Sequence, residues 1–352
     1  MRLEKLPRNK SKCFLFKDRL NRFYFSGTDI AEGFLLIAEK SVYFTDLRYY
    51  SAAKTKIAGA GLVPRVFNGI SDVAKELKAQ NIKAVYIDYT RTTLSEYEEY
   101  KKVFGGAKIC DCSATLASLR FIKDDAEILS VKAACEIAEK AVGDAMRHAY
   151  EGITERELKK YLETRMEELG SEGAAFDTIV AFGKNAAVPH HETGETRLKK
   201  NHVILIDTGC KINGYCSDIT RTAFFGTPDT EFLKAYDAVF CANLKAEEKI
   251  REGMSGKDAD KIARDLLTGR GYGEYFTHSL GHGVGLEIHE NPRLSPKSDD
   301  VLKSGTVFTV EPGVYIEGKF GIRIEDTCVM ENGRAVRLFK DDKKPLIIKA
   351  EK

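Results

Sequence analysis

Long apolar stretches are missing from these 352 residues: no run of 18 apolar side chains occurs, and the chain opens on the charged Met1-Arg2-Leu3-Glu4-Lys5. Neither a membrane-spanning helix nor a secretory leader is therefore expected. Also missing are a Cys-x-x-Cys pair and any spacing that reads as a disulfide framework, although eight cysteines are present. That usage suits a reducing cytoplasm. Cys110 and Cys112 flank Asp111 on an expected strand, and Cys210 and Cys216 read as packing residues rather than ligands. No low-complexity tract interrupts the chain, and its length allows two domains with sizeable cores.

Charge of one sign is also scarce overall, the net value being +2, but its distribution is uneven. Up to Lys123 there are 22 Lys and Arg against 13 Asp and Glu, and the remainder carries 33 against 40. The positive residues of the first part are scattered and no RNA- or DNA-binding motif accompanies them, so solvated surface is expected rather than a nucleic-acid partner. Histidine is absent before His148 and after His289. His148 and His202 have no motif around them and read as surface or satisfied structural residues.

What is present in the last 150 or so residues is a set of metal-ligand side chains in strand-like or glycine-rich settings. The apolar run Val203-Ile204-Leu205-Ile206 leads into Asp207, and Asn213-Gly214 separates it from a second run containing Asp218. Asn-Gly between two such runs is a hairpin signal. With Asn213-Gly214 as the central turn residues, Ile212 pairs with Tyr215, Asp207 with Thr220, and Asp218 with Gly209. Residues two apart on a strand share a face, so the aspartates point the same way as diagonal neighbours about 7–8 Å apart at the backbone. The pattern repeats in Val307-Phe308-Thr309-Val310-Glu311 and Ile322-Arg323-Ile324-Glu325, which a loop around Glu317 to Gly321 would bring together. Their even spacing permits both glutamates on one face.

A fifth member, His282, sits in His278-Ser279-Leu280-Gly281-His282-Gly283-Val284-Gly285. Its glycines let backbone approach closely. A phosphate-binding loop is the rival reading, but the spacing is not GxGxxG and no Lys-Ser/Thr follows. Four carboxylates and one imidazole form an oxygen-rich set that favours manganese, cobalt or iron over a thiolate zinc site. Without cations, carboxylates about 4 Å apart repel by about 4 kcal/mol per pair at an effective dielectric near 20. Two divalent ions about 3.5–4 Å apart would neutralise the set and support hydrolysis.

With these motifs in place, the chain resembles the pita-bread metallopeptidases, and among them the Xaa-Pro peptidases, aminopeptidase P and prolidase. The match runs through Leu119-Arg120-Phe121-Ile122-Lys123, Asn185-Ala186-Ala187-Val188-Pro189-His190, the Asp207 and Asp218 hairpin, His278 to Glu290, Glu311-Pro312-Gly313 and Arg323-Ile324-Glu325-Asp326. The resemblance implies an α/β (α+β) chain: a small N-terminal α/β domain over 1–118 and a pita-bread catalytic domain over 124–352, with the segment between as linker. It implies that Asp207 holds one metal ion, that His282 and Glu311 hold the other, and that Asp218 and Glu325 contact both. It further implies Glu311 as general base beside a metal-bridging hydroxide. His190, His278 and His289 would contact the scissile carbonyl, the tetrahedral intermediate or the substrate carboxylate, and Arg323 and Tyr315 would line the proline-side pocket. His191 is expected to be a solvated neighbour of His190, and Glu290 has no assigned role.

The implied activity is cleavage of the N-terminal Xaa-Pro bond of proline-containing peptides, with the Xaa-Pro dipeptidase as the alternative. Two divalent ions per chain are implied, manganese foremost and cobalt, iron or zinc as substitutes, in a cytoplasmic homodimer. Methionine aminopeptidase shares the five ligands but lacks this kind of N-terminal domain and the Arg323 equivalent. Non-catalytic binding proteins on the fold lose ligands, and here none is lost.

Elsewhere, 33–38 with 41–46 read as a hairpin, 83–88 and 107–110 as strands, and 71–80 and 92–104 as helices. A long helix is expected over 124–150, and Thr154-Glu155-Arg156-Glu157 is a capping box opening the next one. Further helices are expected over 230–251 and 255–269. An internal duplication of the second domain, implied by the resemblance, is not visible in the sequence.

Overall fold

The computed structural model describes residues 2–7 and 9–349 and divides into two compact units, 1–119 and 120–352. In the first unit the order is β1 (Lys12–Phe16), α1 (Arg19–Ser26), β2 (Phe34–Ile37), β3 (Val42–Thr45), α2 (Leu47–Lys56), β4 (Val63–Val66), α3 (Ile70–Ala79), β5 (Ala84–Ile87), α4 (Leu94–Val103), β6 (Lys108–Asp111) and α5 (Ser113–Phe121). The strands form one mixed sheet in the order β4-β3-β2-β1-β5-β6. The expected β2/β3 hairpin forms, with Leu35 opposite Tyr43. β1 escaped the sequence reading because it is central and buried, so its Cys-Phe-Leu-Phe run shows no alternation. The boundary between the two units, Leu119/Arg120, falls within the segment expected as linker, which is largely helical. α5 runs through Phe121, leaving only Ile122 and Lys123 before the Asp124 cap of the next helix. Leu116 supplies the buried apolar anchor that keeps this stretch helical.

The second unit begins with α6 (Asp125–His148) and α7 (Glu155–Glu168), followed by β7 (Ile179–Phe182), β8 (His202–Thr208), β9 (Lys211–Ile212), β10 (Tyr215–Cys216) and β11 (Ile219–Phe225). A second helix pair follows, α8 (Thr230–Lys249) and α9 (Gly256–Gly269). Then come β12 (Gly281–Gly283), β13 (Glu290–Leu294), β14 (Val307–Val310), β15 (Gly313–Ile316), β16 (Phe320–Arg323), β17 (Asp326–Glu331), β18 (Arg334–Arg337) and β19 (Leu346–Ile348). Two sheets, β19-β11-β8-β7 and β13-β12-β14-β17-β18, form the frame. The element order repeats: two helices, then a sheet whose central antiparallel pair, β8/β11 or β14/β17, carries two carboxylates at one end.

Caps set the helix starts. Asp124 and Glu127 close a reciprocal capping box on α6, as Thr154 and Glu157 do on α7. α6 then buries Val131, Ala134, Cys135, Ala138, Ala141, Val142 and Ala145, a stripe at helical spacing whose small side chains admit close packing. α8 buries Phe232, Ala235, Tyr236, Ala238, Val239, Ala242, Asn243 and Ala246 in the same way, with one polar exception at Asn243. Among the described residues, no helix is long and apolar enough to cross a membrane.

Candidate metal centre

The first hairpin keeps the expected register: Ile212 pairs with Tyr215, and Asp207 with Thr220. Between those ladders the pairing opens at Gly209 and Asp218. The Gly209 carbonyl accepts instead from Ala175 N at 2.8 Å, and Asp218 N donates to Thr327 Oγ1 at 3.3 Å. The gap turns Asp218 toward the second sheet. There the registers of β14/β17 (Val310 opposite Asp326) and β15/β16 (Gly313 opposite Arg323) are continuous, which sets Glu311 across from Glu325 at the junction. A bridge between Thr220 and Glu325 joins the two hairpins, so both carboxylate pairs converge.

His282 enters from β12, which is squeezed between β13 and β14. A Cβ on Gly281 would stand 2.1 Å from the Thr309 carbonyl oxygen and one on Gly283 2.2 Å from that of Asn291, so only glycine fits on either side of the imidazole. His282 Nε2 lies 3.3 Å from Glu311 Oε1 and 3.6 Å from Asp218 Oδ2. Ligand atoms of Asp218, His282 and Glu325 all fall within 4.8 Å of one another. Thr220 donates to Glu325 at 2.6 Å and Thr309 to Glu311 at 3.1 Å, orienting those carboxylates. Neither threonine was singled out in the sequence. Each lies two residues from an acid, Thr220 from Asp218 and Thr309 from Glu311, so the same-face rule of strands was the available signal.

Electrostatics mark the cluster as short of cations. Burial, then the neighbouring Glu325 and Asp207, push Asp218 well above the usual carboxylate range, and burial with Glu311 and Asp207 does the same to Glu325. Burial and the Asp207 charge raise Glu311 to about 8. Burial and the adjacent His289 lower His282 to about 4, leaving a neutral imidazole suited to ligation. Asp207 Oδ1 is buried without a hydrogen-bond partner among the described residues. An oxygen left bare in a cluster of raised carboxylates and a neutral imidazole fits divalent cations.

The remaining expected residues surround this centre. Arg323 donates to Asp207 Oδ2 at 2.5 Å, to the Tyr315 hydroxyl at 2.6 Å and to Thr220 Oγ1 at 3.0 Å. It is buried, so its guanidinium belongs as much to the carboxylate cluster as to a pocket wall. The Tyr315 hydroxyl, accepting from Arg323, is 2.9 Å from His278 Nε2, while His278 Nδ1 is 2.8 Å from the Ser279 carbonyl. This chain assigns the His278 proton to Nδ1, and burial with the Arg323 charge lowers its pKa to about 3. His289 stacks edge-on to His282 with ring centroids 4.4 Å apart. His190 is exposed and close enough to His278 and His289 to disfavour their charged forms.

One expectation needs correction, and one residue without an assigned role gains a structural one. His191 is not solvated: its Nε2 lies 2.9 Å from Glu155 Oε2. Glu155 is fully buried and also accepts from Phe182 N, Asn185 Nδ2 and Gly194 N, so it anchors both ends of the loop that carries His190. Glu290, given no role, forms an ion pair of 2.6 Å with Lys123, both side chains nearly inaccessible at 7% and 1%. A buried lysine requires a partner, and the sequence does not show that Lys123 is buried. Away from the centre, His148 stacks on Tyr161, whereas His202 buries Nδ1 without a hydrogen-bond partner among the described residues. The eight cysteines are free, and Cys210 donates to the Ala134 carbonyl at 3.3 Å.

The sequence profile of metallopeptidase family M24 matches residues 130–332, the stretch that holds all five cluster residues. The chain belongs to metallopeptidase family M24. This M24 chain also matches the creatinase/prolidase N-terminal domain over residues 3–122. It is 38% identical to the Xaa-Pro dipeptidase of Pyrococcus furiosus, over 98% of this chain and 99% of that one. Among solved structures, an X-Pro aminopeptidase from Thermotoga maritima superposes with a TM-score of 0.93 at 35% identity, covering 99% of this chain and 100% of the other. The prolidase from Pyrococcus furiosus gives 0.88 at 36% identity, over 95% and 98%. The M24 peptidase is thus a hydrolase with the pita-bread architecture and a creatinase/prolidase N-terminal domain.

Proposed function

We propose that this M24 peptidase cleaves the bond between an N-terminal residue and a following proline, with two divalent ions, manganese foremost, held by Asp207, Asp218, His282, Glu311 and Glu325. The observation that carries the reading is the convergence of three upward-shifted carboxylates, a neutral imidazole and the bare Asp207 oxygen on one small volume. When bound, the ions would supply an activated water and polarise the scissile carbonyl.

The chain's own groups do the rest. Glu311, oriented by Thr309 and raised toward neutrality by its surroundings, is placed to accept a proton and return it to the leaving proline nitrogen. An amide nitrogen leaves as an amine only when it gains a proton as the C–N bond breaks, and the proton Glu311 took from the attacking water balances that step. His278, held as the Nδ1–H tautomer, takes the Tyr315 hydroxyl on Nε2, which ties it through Tyr315 and Arg323 to Asp207. His190 and His289 stand at its open side and would hold the substrate carbonyl and carboxylate.

The likeness to the X-Pro aminopeptidase supports action on longer peptides, as an Xaa-Pro aminopeptidase. The likeness to the Xaa-Pro dipeptidase favours a second reading, restriction to dipeptides. Turnover of Ala-Pro compared with Ala-Pro-Ala, on protein reconstituted with manganese, decides between them. Cleavage of neither, by protein shown to hold the metal, would overturn the proline specificity altogether.

A further inference from the structure

We infer that Asn243, on α8, is a positioning residue of the metal centre, because its single amide fixes the backbone units on which Glu311 and Glu325 are both mounted. The inference rests on these two glutamates being ligands, as proposed above. Asn243 is wholly buried among the alanines of α8. Its Nδ2 donates to the Val310 carbonyl at 2.9 Å and to the Ile324 carbonyl at 3.2 Å. Those two residues immediately precede Glu311 and Glu325.

Each of the two peptide units is also held at its other edge. Glu311 N donates to the Leu280 carbonyl at 2.8 Å, and Glu325 N to the Thr220 carbonyl at 3.1 Å. A peptide unit is planar, so fixing its C=O and its N–H on opposite edges removes its freedom to rotate and sets where the next Cα projects its side chain. One amide bound to both units ties the separation of the two glutamates to the width of a single NH2 group. Metal ligands must be held to about 0.5 Å, and this is a means of doing so from outside the ligand set.

The amide is itself locked. Lys343 donates from Nζ to Asn243 Oδ1 at 2.6 Å, which leaves the NH2 facing the two carbonyls. Lys343 is buried too, and its ammonium reaches Glu247 Oε2 at 2.8 Å and Asp326 Oδ2 at 3.0 Å. Asp326 follows Glu325 directly, and Arg221 joins them, donating to the Glu325 carbonyl at 2.5 Å and to Asp326 Oδ1 at 2.8 Å. The backbone before both glutamates and after one of them therefore belongs to a single buried network. An apolar residue would fill the same site on α8 without needing three polar partners, whereas an asparagine there must satisfy its amide fully.

The test compares the parent with Asn243→Asp, Asn243→Ser and Glu247→Gln, each loaded with Co2+. Asn243→Asp keeps the volume and a partner for Lys343 but cannot donate to either carbonyl; Asn243→Ser is the smaller second variant should the first not fold. Glu247→Gln touches Lys343 and neither carbonyl. Three quantities are read: the thermal midpoint, the equilibrium Co2+ affinity, and the visible absorption of the bound ion well below that midpoint. At least a tenfold loss of affinity with an altered spectrum is expected in a folded Asn243 variant, with parental values in Glu247→Gln. A folded Asn243 variant with parental affinity and spectrum overturns the inference, as does an equal loss in Glu247→Gln, which would assign the effect to general loosening around Lys343. Failure of the parent to bind Co2+ would instead remove the metal centre on which the inference stands.

Discussion

Arg323 Nη2 lies 2.5 Å from Asp207 Oδ2, while Asp207 Oδ1 has no hydrogen-bond partner among the described residues. The carboxylate is thus divided, one oxygen fixed by a guanidinium and the other turned to the cluster. The same guanidinium serves Tyr315 and Thr220, a planar fork that an ammonium cannot reproduce. Arg323→Lys should therefore lower metal affinity or turnover by about 10–100-fold, the range for lost support of a ligand. Parental kinetics and metal content in this variant would show that charge alone suffices.

Metal loading should release protons. With Glu311 raised to about 8 and Asp218 and Glu325 also raised, the metal-free folded chain holds protons that the unfolded chain has lost. Folded-state values above the unfolded ones mean that this stability is fully present below about pH 4 to 5 and is lost as pH rises toward 8. The metal-free protein should accordingly lose thermal stability over that window more steeply than the loaded protein. Calorimetric titration with Mn2+ at pH 7, in buffers of different ionisation enthalpy, should detect proton release that diminishes above pH 8. Release independent of pH would contradict the assigned shifts.

Glu311→Ala should remove nearly all turnover, since ligation and proton transfer coincide in that carboxylate, and should weaken at least one ion. Proton transfer alone accounts for about 10²–10⁴ in rate. Near-normal turnover would assign the general base elsewhere.

The cluster was legible in sequence because it obeys local rules. Asn213-Gly214 fixed the first hairpin's register, and Asp207 and Glu311 each end a largely apolar run of four where a charge needs a reason. The period of two could not show the opening at Gly209 and Asp218, which depends on a partner, Ala175, far away in the chain. Nor could it show Glu155 under the His190 loop or Asn243 under the two glutamates, because both lie on helices whose pattern reveals only which face is inward. The repeat was invisible for a related reason: its two halves share element order, the placement of acids and a separate two-stranded pair, β9/β10 or β15/β16, but Asn213-Gly214 closes the first pair and Glu317-Gly318-Lys319 the second, so the turns share no common signal.

Glu290→Ala should act on stability rather than on chemistry. Lys123 would remain buried without its carboxylate partner, a loss of about 3–5 kcal/mol for a broken buried pair. Urea unfolding should show a lower midpoint, while turnover per folded molecule stays within a few-fold of the parent. An unchanged midpoint would mean that Lys123 finds water or another partner.

The three histidines test whether substrate contacts and metal contacts are separable. His289 is the critical one, because its ring stands only 4.4 Å from that of His282, centroid to centroid, while the residue itself is exposed. Replacing His190, His278 or His289 by alanine should leave metal content near the parental level while lowering turnover. Loss of one donor to a developing oxyanion costs about 10²–10³ in rate, so the group that contacts the scissile carbonyl should show its loss mainly in kcat. A histidine that only holds the substrate's ground state should show it mainly in KM. His278→Ala carries an additional expectation: Tyr315 would lose its acceptor yet remain bound to Arg323, so Tyr315→Phe in that background should add less than it does alone. Full additivity of the two would show that the hydrogen-bonded chain does not act as a unit, and loss of metal from His289→Ala would place that histidine among the ligands.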